Sequence, residues 1–264
     1  MSGLARGIAA QLRDQITSGQ LRPGAKLPTE DQLIAQHGVS RNTVRGAVAH
    51  LVNEGLVRRV VGRDGGMVVR ERVTLTYHAS RAEQPDGLRS ESDGYFTEVR
   101  DQGFEPSQTF ELRLVMLETA IADRLEQEEG VTAVLRRCVR SVNHEPTSIQ
   151  DSYYPMDLAE QVRELMSPAD IPQGTTRLLA ERGHLQIAFT DELEARMPTP
   201  EDVALLRLGQ GTPVIRYLRT AFTRERVVRV TVTTFAGDRN RVVYTLGDVA
   251  ALEREHGRRP KQHP

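Results

Sequence analysis

Residues 39–52 read V-S-R-N-T-V-R-G-A-V-A-H-L-V. Val44, Ala47, Val48, Leu51 and Val52 recur at i, i+3, i+4, i+7 and i+8, one apolar stripe of an amphipathic helix. Ser40 stands just before the stripe, where a short hydroxyl caps free backbone N–H groups. The opposite face opens with Arg41, Asn42 and Arg45, with Thr43 beside them. Arg takes a guanine edge through two bonds and Asn an adenine edge, so these side chains suit a nucleic acid. A merely solvated face would carry charge as well, and the neighbours decide between the two.

Upstream, residues 29–37 predict a second helix. Thr29 and Gln32 have capping-box spacing, Leu33 and Ile34 point inward, and His37-Gly38 closes it. Two short helices joined by H-G-V-S form a helix-turn-helix whose second helix reads DNA. Residues 4–18 predict a first helix with Ile8, Leu12 and Ile16 as its buried row and Gly19 at its end. Between them L-R-P-G-A-K-L-P is a turn segment. Downstream of Gly55 the period changes. Residues 56–61 and 67–69 are strand-like and flank G-R-D-G-G, which predicts a hairpin with Arg63 at a glycine-rich tip. A hairpin after a helix-turn-helix is a wing, and Gly65 and Gly66 would let its backbone approach phosphates. A plain hairpin needing positive φ is the alternative; no G-x-x-x-x-G-K-[ST] phosphate loop is present.

The 264 residues allow one large domain or two modest ones, and 38% apolar residues can build a core. Cys138 is the only cysteine, which excludes a disulfide within the chain and fits a reducing compartment. No run approaches the roughly 18 apolar residues of a membrane span, and the first residues lack a signal-peptide core. A cytoplasmic, nucleoid-associated location with no membrane partner is therefore expected. The net charge of −1 hides an asymmetry: residues 1–72 hold 11 Lys+Arg against 6 Asp+Glu, leaving a surplus of acid elsewhere. A basic segment on an acidic body suggests a polyanion partner at the N-terminal end. The seven His show no H-x-x-x-H or H-E-x-x-H spacing, and no G-x-S-x-G occurs. No catalytic residue, metal site or cofactor is expected.

Residues 73–92 are polar and carry Pro85 and Gly87, which predicts a linker with a short strand at 73–77. Residues 93–252 read as strand-rich with an internal echo. A strand over 108–117 is followed by a helix over 118–129 and a hairpin of 131–142 with 147–154, turning at Glu145-Pro146. Later come a strand over 185–195, a helix over 201–208 and a hairpin of 214–222 with 227–235, separated from the first copy by helices near 158–166 and 175–182. Helix, glycine turn and long hairpin used twice predict a pseudo-symmetric antiparallel sheet. Residues 253–264 are charged and proline-terminated, and disorder is expected there.

The runs G-x-L-R-P-G-x-K-L-P-T-E, V-S-R-N-T-V-R and L-x-x-E-G-L-V, then the Gly-rich wing, closely resemble the winged helix of GntR-type bacterial transcription regulators over residues 5–70. The resemblance implies DNA contacts by Ser40, Arg41, Asn42, Thr43, Arg45, Gly65 and Gly66, with Arg63 adding charge at the tip. Lys26 and Thr29 would lie near the backbone. One departure stands out: after L-P-T-E the family often has Arg, and here Asp31 would repel phosphate. Residues 93–245 resemble the ligand-sensing UTRA domain of HutC-type members, which has a chorismate-lyase-like fold. The match is carried by F-T-E (96–98), Val139-Arg140, H-E-P (144–146), Y-Y-P (153–155), T-P-V with Arg219, and F-A-G-D-R (235–239). It implies an effector cleft between sheet and helices, drawing here on Tyr95, Phe96, Thr97, Arg140, Gln150, Thr175 and Phe235. Where many relatives carry R-x-R this chain has Cys138 and Arg140, and a common Glu is Gln150. Cys138 and Arg140 share one strand face. With those charges gone, a phosphosugar fits poorly and a neutral or hydrophobic effector, with at most one carboxylate, fits better.

The expected class is thus α+β: an N-terminal winged helix-turn-helix (1–72), a linker (73–92), and a C-terminal antiparallel-sheet domain (93–252) for effector binding and dimerisation. The expected activity is that of a homodimeric repressor, released from a double-stranded inverted-repeat operator by a small molecule. A chorismate-lyase-like enzyme with an appended winged helix is the alternative, and a constitutive architectural DNA binder a third.

Overall fold

The computed structural model describes residues 3–60, 65–70, 74–79, 91–209 and 211–245. The N-terminal unit consists of α1 (Gly3–Thr17), α2 (Glu30–His37), α3 (Arg41–Asn53) and the antiparallel pair β1 (Val57–Val60) and β2 (Gly66–Val69). The apolar stripes meet as the periodicity requires. Ile8 and Leu12 of α1, Leu33 of α2, and Val44, Ala47 and Leu51 of α3 pack with Val57 and Val69 of the hairpin. Thr29 and Gln32 complete the capping box of α2, and Gly38 ends that helix at φ +62°. Ser40 accepts from the Thr43 N–H and caps α3. The wing tip, Arg63 included, lies outside the described residues.

The second unit is built on a six-stranded antiparallel sheet in the order β4-β5-β6-β9-β8-β7. Its strands are β4 (Pro106–Met116), β5 (Thr132–Val142), β6 (Glu145–Pro155), β7 (Ala188–Arg196), β8 (Val214–Phe222) and β9 (Val227–Ala236). The sequence echo has a structural counterpart. Each copy supplies an outer strand, a helix and a hairpin, and the copies meet where β6 pairs with β9. Their helices, α5 (Thr119–Leu125) and α8 (Pro200–Leu206), cover the same face. Ile121, Ala122 and Leu125 pack on Ala133, Leu218 and Val230, and Leu206 packs on Ile149 and Val214. The other face is covered by α6 (Met156–Gln161), a 3-10 turn (Arg163–Met166) and α7 (Thr175–Glu181), through Leu158, Leu165, Leu178 and Leu179 on Val134, Tyr154 and Ala221.

Four details differ from the sequence reading. The first hairpin turns at Asn143-His144, not at Glu145-Pro146; both residues have positive φ (+49° and +64°), which matches the twist of the flanking strands. Helix α5 stops at Leu125, because Glu126 is left-handed at φ +57°. The short strand of the connection is present as β3 (Leu75–His78), but it pairs in parallel with a strand not foreseen, β10 (Asn240–Val243). Helix α4 (Glu91–Asp101) was also not foreseen: Tyr95 and Val99 are its buried anchors, against Leu75 and Val142. Residues 246–264, with the expected disordered tail, are outside the described residues.

Candidate nucleic-acid interface and ligand pocket

Because Val44, Ala47 and Leu51 are fully buried, the opposite face of α3 is solvent-facing. Arg41 and Arg45 keep 57% and 61% of their side-chain surface, and Ser40 and Asn42 are exposed beside them. Thr43 is partly covered, and its hydroxyl lies 2.9 Å from that of Ser40, so both serve the helix start. Asp31 is not a bare charge: its Oδ1 accepts from Arg41 Nη2 at 2.7 Å. Glu30 accepts from Arg45 Nε at 3.2 Å through both oxygens. Thr29 is engaged in its capping box, and Lys26 is exposed where the turn segment bridges to Val68 of the wing. Gly65 and Gly66 are exposed at the near end of β2. The structure thus gathers Arg41, Asn42 and Arg45 on one open face, with Lys26 and the wing glycines elsewhere on the same unit.

A narrow, partly open recess lies on the sheet face beneath α7. Alternate residues of three strands line it: Gln108 and Phe110 of β4, Arg136, Cys138 and Arg140 of β5, and Gln150, Ser152 and Tyr154 of β6. Asp170, Ile171 and Thr175 close its rim. Arg136 is largely used up by the fold. It donates to the carbonyls of Leu165 (3.3 Å), Ser167 and Ala169 (2.7 Å), fixing the loop before α7, and burial lowers its pKa. Arg140 lies over the Tyr95 ring, 4.7 Å from its centroid. Tyr95 in turn donates to the Ser141 carbonyl at 3.1 Å, and burial pushes its pKa up to about 12. The Cys138 thiol is buried 3.7 Å from Gln108 Oε1.

Tyr154 is the residue that sequence reasoning missed. It is completely buried, and its hydroxyl has no hydrogen-bond partner among the described residues. An orphaned buried hydroxyl costs about 1–3 kcal/mol, a penalty that a molecule in the recess would relieve. The signal was available in the period-two row Gln150, Ser152, Tyr154: Tyr154 stands in the Y-Y-P motif, but of the row only Gln150 is expected at the effector from sequence. The other expected contacts divide. Arg140, Gln150 and Thr175 line the recess, and Tyr95 backs Arg140. Phe96 stacks edge-on against Tyr95 away from the lining, and Thr97 is exposed on α4. Phe235 is buried in a separate aromatic cluster with Tyr77 and Tyr217.

Hydrogen bonds run from the recess to the winged helix. Thr147 Oγ1 donates to the Arg140 carbonyl (3.2 Å), and Asn240 Nδ2 to the Thr147 carbonyl (2.9 Å). Arg239, next in the chain, donates to Pro146 O at 2.6 Å. Its neighbour Asp238 accepts from Arg70 Nη1 at 2.5 Å, just beyond β2, and Arg58 of β1 stands 3.7 Å from Glu145.

Among the described residues no His/Cys/Asp/Glu group is placed to hold a metal, and no helix is long and apolar enough to cross a membrane. Residues 4–68 match the model for bacterial regulatory proteins of the gntR family, and residues 101–241 match the UTRA domain. The chain is 30% identical to the HTH-type transcriptional repressor NagR of Bacillus subtilis, over 81% of this chain and 82% of that one. It is 27% identical to the mannosyl-D-glycerate transport/metabolism system repressor MngR of Escherichia coli, over 80% and 82%. Among solved structures, PhnF from Mycobacterium smegmatis superposes with a TM-score of 0.55 over 91% of this chain and 99% of that one; at 19% identity this is a likeness of fold.

Proposed function

The chain belongs to the gntR family of bacterial regulatory proteins, with a UTRA domain behind its winged helix, and from that premise we propose that it is a cytoplasmic repressor released from DNA by a small effector. The observation that carries this reading is the open face of α3. Arg41, Asn42 and Arg45 project from a helix whose far side is locked into a core, so the reading edge is rigid as well as basic. An enzyme reading has no support from the relatives, whose names describe regulators.

A two-fold dimer would present two such helices to the halves of an inverted repeat. Exposed apolar side chains support a contact through the second unit: Leu185, Ile187, Leu193 and Met197 lie on or beside β7, one of the two edge strands of the sheet. The effector would occupy the recess under α7. Arg140 offers one cation, Phe110 and Ile171 offer apolar surface, and Tyr154 and Gln150 offer hydrogen bonds. That set favours a small, largely apolar molecule with one carboxylate. Its binding would bias the population toward domain orientations that no longer fit the operator, through the bonds Arg140–Thr147 and Thr147–Asn240, the chain from Asn240 to Asp238, and the bond Asp238–Arg70.

The direct test is a gel shift on the natural upstream DNA, with and without metabolites that raise the melting temperature. A bound, footprinted operator released by a hit supports the reading; no affinity for that DNA beyond random sequence would end it. The recess has its own test in Tyr154→Phe. Since the hydroxyl bonds to none of the described residues, the variant should melt at or above the wild-type temperature. It should also bind the effector about 3- to 10-fold more weakly, one hydrogen bond's worth. Unchanged effector affinity would place the ligand elsewhere, and a melting point several degrees lower would mean the hydroxyl has a structural role.

A further inference from the structure

Asp31 and Glu30 begin α2, yet their carboxylates reach across the helix-turn-helix to α3. Asp31 Oδ1 accepts from Arg41 Nη2 at 2.7 Å, ten residues on, and Glu30 takes Arg45 Nε, fifteen residues on. The Asp31 side chain keeps 79% of its surface and that of Glu30 43%, and ion pairs this exposed contribute little to folding. Their consequence lies elsewhere. An arginine at a duplex surface is drawn first to phosphate, which carries no sequence information. A carboxylate on that arginine cancels most of the pull.

We infer that Asp31, seconded by Glu30, is a positioning residue for base readout: it holds Arg41 in one pose and withdraws its charge from the phosphates, leaving the rest of its fork for a base edge. The inference rests on the reading of α3 as the DNA-facing helix. Guanidinium is planar with five N–H donors, so Arg45 engaged through Nε keeps its two terminal nitrogens, the pair that matches guanine O6 and N7. A side chain already held loses less freedom when it binds. Water exclusion at the interface lowers the local dielectric and strengthens the hold. Specificity is a difference of affinities, and this arrangement lowers affinity for random DNA more than for the operator.

The test uses the full chain with two duplexes of equal length: one selected by the protein from a random pool, one of random sequence. Affinities are measured across a salt series for wild type, Asp31→Ala, Asp31→Asn and, as reference, Arg41→Ala. Both Asp31 variants should bind random DNA about 3- to 10-fold more tightly, with a salt slope steeper by about 1. The selected duplex should gain less, so that Asp31→Ala lowers the specificity ratio about fivefold or more. Asp31→Asn keeps an acceptor for Arg41 and should lose less of the ratio. Melting temperatures should not move, since the pair is exposed. If Asp31→Ala tightens both duplexes by the same factor, Asp31 is a repelling charge and nothing more, and the positioning role is wrong. If Arg41→Ala itself leaves selected-duplex binding intact, the DNA-facing assignment of α3 has failed first, and the two failures are distinguishable.

Discussion

A variant carrying both Arg41→Ala and Arg45→Ala is expected to lose about 2–6 kcal/mol of operator binding, at about 1–3 kcal/mol for each base-reading arginine. The two residues are one helical turn apart and share one DNA groove in the proposed complex, so the losses couple and the expected loss falls in the lower half of that range. Two effects push the other way. Without the arginines, Glu30 and Asp31 become unpaired carboxylates facing a polyanion. The duplex also loses two cations and the counterions they release, which flattens the salt dependence. Folding should hardly notice. Both side chains are exposed, their ion pairs are of the weak surface kind, and the stripe of Val44, Ala47 and Leu51 is untouched. Gel shifts at fixed salt, paired with thermal melts, separate the two quantities. A double variant that binds the operator within a factor of two of wild type would remove α3 as the reading helix.

The N-terminal unit was legible almost to the residue, because its signals are local. Ser40 and Thr29 cap helices whose stripes have the right period, Gly38 supplies a left-handed residue between them, and none of this depends on distant chain. The sheet was legible as a repeat: strand, helix and hairpin recur, and the strand order places the two copies side by side. Pairings between remote segments were not legible. β3 and β10 are 165 residues apart (Leu75 with Asn240), and nothing in either tetrapeptide names its partner. The recess was half legible for the same reason. Arg140 and Gln150 stand out by their chemistry, but Tyr154 becomes notable only when its burial shows the hydroxyl orphaned. Asp31 shows the opposite limit. Its charge beside a DNA face reads as repulsion in the sequence, and only the fold shows that Arg41 already holds it.

Replacing Asp191 with asparagine is expected to destabilise the C-terminal unit by about 3–5 kcal/mol, the cost of leaving a buried cation without its partner. Asp191 of β7 faces Arg219 of β8 in register and accepts two bonds from it, both 2.7 Å. The side chains retain only 10% and 7% of their surface. Arg219 is further enclosed by Phe189 and Tyr217, 4.8 and 5.4 Å from its guanidinium carbon, and Tyr244 donates to the same carboxylate at 3.0 Å. Burial alone would raise the Asp191 pKa, but the bonds and charge of Arg219, with Tyr217 and Tyr244, outweigh it and hold it below the usual carboxylate value. The sign of the pH dependence follows. With the folded pKa depressed, the stabilisation is fully present above the unfolded carboxylate pKa and is lost as pH falls toward and through the folded one. Wild-type stability should therefore carry an acid-dependent component in that window that Asp191→Asn lacks. Denaturant melts across pH would show it. If the asparagine variant were as stable as wild type and lost stability in acid to the same degree, the pair would contribute nothing. The double change Asp191→Leu with Arg219→Met sharpens the reading, because it removes both charges from a well-packed site. It should recover much of what the single variant loses, since the penalty comes from an orphaned guanidinium more than from the missing ion pair.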